Sequence, residues 1–180
     1  MHVAREMFCR DGIHATGIDR ILAAAGASKM TLYARFGSKE ALLREVLLQE
    51  GADWRASFFA AAIARPDPVG GVVAALGALF TKGPFYGCAF MNAIAEHTKG
   101  ETWLREIAAD HHREILAFLS GHAAASGYGE PAILARQLLL ILDGAIAALM
   151  VSGDPSVLTI AERNLAAVLA SASKSAGSAE

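Results

Sequence analysis

The 180-residue chain is 54% hydrophobic, with 17 Gly and only 5 Pro, which excludes a disordered tail and fits one compact unit or two small ones sharing a core. Its net charge of −2 singles out no partner, and two distant cysteines, Cys9 and Cys88, exclude a disulfide framework. The longest apolar run, Leu138 to Val151, is shorter than the roughly 20 residues a bilayer needs and is interrupted by Asp143. With no signal-peptide pattern at the start, a soluble protein of the reducing cytoplasm is expected.

Ala and Leu abound while β-branched runs and hairpin signals are scarce, so the predicted fold is all-α. Charge is uneven along it: residues 1–46 carry +2 and the remainder −4. A mildly basic head on an acidic body hints at a polyanion partner for the head.

Residues 3–10 read as the end of a first helix, with Val3, Ala4, Met7 and Phe8 on one side and Gly12 as its stop. Thr16 is placed as the N-cap of a second helix, with Asp19 completing an acidic version of the capping box. Ile18, Ile21, Leu22 and Ala25 give that helix its apolar face, and Gly26 ends it. Ser28 caps a third helix almost at once, so the order is helix, tight turn, helix. In this third helix Leu32 and Phe36 share the inner face, while Lys29 and Tyr33 lie opposite with Met30, Thr31 and Ala34 around them. A short helix whose outer face is Lys, Thr, Tyr and Arg suits a major groove better than it suits a plain solvated surface.

The stretch Gly12 to Leu47, "GIHATGIDRILAAAGASKMTLYARFGSKEALLREVL", resembles the N-terminal pattern of the TetR family of bacterial transcription regulators almost throughout. The matching features are the Thr before the second helix, the Ala-Gly-x-Ser-Lys turn, Thr-Leu-Tyr within the third helix, its closing aromatic, and Ser-Lys-Glu-x-Leu opening the fourth. "GCAFMNAIAEH" and "ARQLLLILDGAIAALM" resemble, more weakly, segments of one branch of the family's C-terminal domain. The resemblance implies an all-α fold of about nine helices, with a helix-turn-helix head (1–46) and a ligand-binding and dimerisation domain (47–180). It further implies a homodimer on a palindromic operator, released by a small molecule, with no cofactor. On matching positions, Lys29, Thr31 and Tyr33 would contact DNA, Lys39 would hold a phosphate, Thr16 would combine capping with a backbone contact, and Arg35 takes a contact-capable place. The small Ala34 and the acid Asp19 depart from the common pattern. The family's first helix also ordinarily begins several residues earlier, often after a basic arm, whereas here Met1 falls almost inside it.

The body continues as a long fourth helix, with a stripe of Leu43, Leu47, Trp54 and Phe58 running through Ala61 and Ile63. Asp67-Pro68, Glu130-Pro131 and Asp154-Pro155 each read as an N-cap followed by a first helical proline, predicting helices near 68–82, 131–152 and 155–172. A short helix in "YGCAFMNAIAEH" and a long one in residues 101–125 lie between them, and the polar tail from Ser171 to Glu180 is expected to fray. The helix after Pro131 is apolar nearly all round and needs cover on two sides. It and the last helix are assigned the dimer interface as a four-helix bundle.

In the long helix Leu104, Ala108, His111, Ile115, Phe118 and His122 form one stripe, placing His111 inward and His112 elsewhere. Asn92, His111 and Asp143 interrupt apolar segments and are expected to converge, as a structural network or as the polar end of an effector pocket. Its candidate apolar walls are Trp54, Phe58, Phe90, Met91, Trp103 and Met150. Glu96, His111 and Asp143 lack metal-ligand spacing, and Cys88 has no adjacent cation to activate it, so neither a metal centre nor a reactive thiol is assigned. The main alternative is an all-α enzyme or a metal or redox sensor without sequence-specific DNA binding. No Gly-rich phosphate loop or nucleophile motif supports an enzyme.

Overall fold

Capping residues and glycines set the ends of most helices in this computed structural model, which describes residues 1–81, 83–97, 102–172 and 174. Among them nine helices follow in order: α1 (His2–Asp11), α2 (Ile18–Ala25), α3 (Lys29–Phe36), α4 (Lys39–Ile63), α5 (Val72–Phe80), α6 (Ala89–Glu96), α7 (Thr102–Ala125), α8 (Pro131–Ser152) and α9 (Ser156–Ser171). No strand occurs among the described residues; one isolated bridge joins Tyr128 and Lys174.

The chain forms two compact units. The first is Met1–Trp54 with Cys88–Ala109, and the second is Arg55–Gly87 with Asp110–Glu180, so α4 and α7 each contribute to both. In the first unit, Ala4, Met7 and Phe8 of α1, Ile21 and Leu22 of α2 and Leu32 of α3 join Leu42, Leu43, Val46 and Leu47 of α4 in one core. Phe90 and Ala93 of α6 and Leu104 and Ile107 of α7 complete it. In the second unit, α8 packs on α5 and α9, and α5 on α9.

Several expectations are corrected. The helix expected from Pro68 begins at Val72. Asp67 instead folds a turn, its carboxylate accepting from Val69 N at 3.0 Å and its carbonyl from Gly71 N at 2.8 Å. Local bonding by Asp competes with helix formation in this way. Ile63 is 55% exposed because the buried row of α4 passes through Phe58 to Ala62, one residue earlier. The helix containing the apolar run Leu138 to Val151 is 22 residues long and, by length and composition, long enough to cross a bilayer. Leu134, Leu138, Leu142 and Leu149 of that helix are buried within the protein. Lys82, Glu101 and most of the expected fraying tail lie outside the described residues.

Candidate nucleic-acid interface

Ser28 enters α3 in extended backbone, and its hydroxyl accepts the Thr31 amide at 3.1 Å, satisfying one of the free N–H groups at the helix start. Leu32 is buried and Phe36 packs against the core, so the helix is held by one face. The other face carries Lys29, Met30, Thr31, Tyr33 and Arg35, all exposed, with Met30 at 81% and Tyr33 at 48%. Gly37, at φ 76°, ends the helix in a conformation that side chains disfavour. The Arg35 guanidinium lies 5.1 Å above the Phe36 ring.

Thr16 departs from its expected place. α2 is capped by Gly17, without a side-chain bond, and Thr16 is fully buried. Its hydroxyl faces Gly12 O at 2.6 Å and Met7 O at 3.2 Å. Gly12 lies just past the last turn of α1, where carbonyls run out of helical partners, and a buried hydroxyl is well suited to serve it. Thr16 therefore braces the α1–α2 turn from inside, and its side chain offers no surface to a phosphate. Asp19, expected in a capping box, reaches across to Lys29, with 2.9 Å between carboxylate and amine. That hydrogen bond, followed by simple charge attraction, raises the Lys29 pKa.

Lys39 donates its amine to Ile13 O at 2.7 Å, joining the start of α4 to the same turn. Asp11 binds Arg10 at 2.7 Å and Arg20 at 2.9 Å, and its carboxyl is held at about 2, first by the Arg10 hydrogen bond. A further clamp comes from α6. The Glu96 carboxylate accepts both Ile13 N (2.7 Å) and His14 N (2.9 Å), while the His14 ring nitrogen meets Glu96 O. Gly12, at φ 86°, opens this cradle, and a Cβ there would lie 3.1 Å from the Glu96 carboxylate. Gly12 is visible in the sequence, but nothing local marks an acid 83 residues away as its partner.

The candidate effector residues divide between the units: Trp54, Phe90, Met91, Asn92 and Trp103 belong to the first, and Phe58, His111, Asp143 and Met150 to the second. Within the second unit, His111 and Asp143 are engaged by different neighbours. His111 is buried and faces Arg55 at 2.8 Å, whereas Asp143 faces the neighbouring His112 at 3.6 Å. Two consecutive residues of a helix point about 100° apart, which separates the two partnerships. Burial, then the nearby Arg55 and His112, push the His111 pKa down to about 4, and burial pushes that of Asp143 up. Met150 is 46% exposed, beside Gly87. The buried Trp103 indole N–H has no acceptor among the described residues, and Arg44 lies 4.6 Å above its ring. The Cys9 thiol is raised to about 11, mainly by burial. Among the described residues no three His, Cys, Asp or Glu are placed to hold a metal ion.

A three-helix head with a capped, outward-facing third helix, joined to further helices, has the layout of a helix-turn-helix DNA-binding domain. The model of bacterial regulatory proteins of the tetR family matches residues 1–46. The chain is 32% identical to the TetR-family regulator SCO4454 from Streptomyces coelicolor, with a TM-score of 0.83 over 94% of this chain and 91% of that one. A putative TetR regulator from Streptomyces avermitilis, sav143, is 25% identical, with a TM-score of 0.81 over 97% and 96%. The fold is also that of a cysteine mutant of the TetR regulator CifR bound to 26-base-pair operator DNA, at 21% identity and a TM-score of 0.77 over 91% and 92%. No curated protein matches the sequence. The chain belongs to the TetR family of DNA-binding transcriptional regulators.

Proposed function

We propose that this regulator is a cytoplasmic repressor that binds a palindromic operator as a homodimer and leaves it when a small molecule occupies the body. The exposed face of α3 carries this reading: Lys29, Thr31, Tyr33 and Arg35 offer cations and hydroxyls on a helix pinned by its opposite side. Thr31 and Tyr33 would meet base edges or phosphates, Lys29 and Arg35 would supply charge, and Lys39 would use its remaining donors on a phosphate. CifR, which shares the fold, forms a complex with double-stranded operator DNA, and this supports duplex DNA as the partner.

Dimerisation is supported by the apolar surface of α8 and α9. Leu140 is 72%, Val151 84% and Ile160 54% exposed, and Leu140, Ile141, Gly144, Ala148 and Ile160 line a groove whose small residues allow close approach. Effector binding would alter the tilt of α4 and with it the spacing of the paired heads, which must match grooves roughly 34 Å apart. The Glu96 clamp gives α6 its own hold on the α1–α2 turn.

The test is a gel shift with the promoter region beside the gene at two salt concentrations. Specific retardation that weakens as salt rises supports the reading, and no retardation of any genomic fragment rejects it.

A further inference from the structure

Arg55, a residue that helical patterning passes over, bears on the chemistry of the effector, provided the body is effector-responsive as proposed above. Arg55 lies on α4, partly buried, and its Nη1 donates to Nδ1 of the buried His111 on α7 at 2.8 Å. A guanidinium only donates, so Nδ1 is the acceptor and the imidazole proton is on Nε2. The ring is neutral and returns no opposite charge. The lowered His111 pKa agrees with that state.

Arg5, Arg10, Arg20 and Arg113 each reach a carboxylate, yet among the described residues none lies within ion-pair distance of Arg55. Asp143 is directed to His112 instead. Arg55 is thus a partly desolvated cation whose bonded neighbour among the described residues is uncharged, an arrangement that favours an added anion. The surroundings are aromatic. Phe58 and Phe59 follow three and four positions later on α4, and Phe59 stacks on Phe118 of α7 at 4.1 Å. Phe118 is two turns beyond His111 on the same face, with His122 against it at 4.5 Å.

The geometry points to a carboxylate-bearing small molecule with an aromatic or acyl body as the effector, its carboxylate on the remaining Arg55 N–H groups and its apolar part along Phe59 and Phe118. A planar guanidinium takes a carboxylate through two parallel bonds, and the aromatic wall favours an organic acid over free phosphate.

The experiment compares the melting temperatures of wild type and Arg55→Met, alone and with millimolar benzoate, octanoate, benzamide, octanamide or inorganic phosphate. Without additive, each protein's own melting temperature is the baseline, since Arg55→Met removes both a partly buried cation and the donor to His111 Nδ1. Benzoate or octanoate raises the wild-type midpoint while the amides and phosphate do not. In Arg55→Met the carboxylate affinity falls about tenfold or more. The assignment is overturned if Arg55→Met keeps the wild-type affinity for benzoate and octanoate. It is equally overturned if amides stabilise as well as acids, if phosphate alone stabilises, or if no carboxylate produces a shift. The broader effector reading is judged separately, by whether a small-molecule extract of cells releases operator from wild type; no release rejects that reading, whereas equal release from wild type and Arg55→Met upholds it and overturns the Arg55 assignment.

Discussion

Asp19 and Lys29 meet at 2.9 Å with both side chains mostly exposed, so α3 begins with one of its cations already partnered by an acid. An exposed pair of this kind contributes little to stability, and its effect lies in the field presented to DNA. Asp19→Asn is expected to tighten binding to random-sequence duplex and to steepen its salt dependence by about one counterion. An unchanged slope in a salt titration would show that the acid does not act on DNA. Tyr33→Ala should weaken operator binding by about 1–3 kcal/mol while leaving the melting temperature near wild type, since Tyr33 is half exposed. His111 makes its own pH prediction. Its folded pKa of about 4 lies below its ordinary 6.5, so between those values the unfolded chain binds more protons. The contribution is therefore complete above about 6.5 and declines as pH falls toward 4. Denaturant midpoints measured across that window should show the decline, and His111→Gln should flatten it.

At the scale of elements, α3 illustrates what local chemistry specifies. Ser28, the Leu32 and Phe36 pair and Gly37 are all within a dozen residues, and each acts on its immediate neighbours, so the helix and its two faces were legible in the sequence. Gly26, left-handed at φ 61°, ends α2 for the same local reason. Thr16 shows the limit. A Thr before a helix has the residue type of a cap, but burial turned its hydroxyl toward Met7 and Gly12 and left capping to Gly17. The Glu96 clamp and the Arg55–His111 bond were hidden because each joins residues more than 50 positions apart. Helical periodicity put His111 on an inward face without naming what it would meet. Glu96 binds two backbone amides with a charged acceptor, so Glu96→Ala should destabilise the first unit by about 1.5–3 kcal/mol. Calorimetry reads this directly, and a variant melting with wild type would make the clamp incidental.

For the whole molecule, the proposed pairing through α8 and α9 is the condition for reading a palindrome. Leu140 is 72% exposed on a helix whose other leucines are largely buried. Leu140→Asp is expected to give monomers by light scattering, with random-sequence binding retained and operator binding lost. The central claim is that α2 and α3, displayed twice, read successive major grooves of one duplex. The most direct measurement is to select duplexes from a random pool with the purified protein, then titrate the enriched sequence with and without an extra half-turn between its half-sites. The expected result is a palindrome with half-sites about one helical turn apart, bound far more weakly after the insertion and after Tyr33→Ala. Enrichment of no sequence, or binding indifferent to both changes, would contradict it.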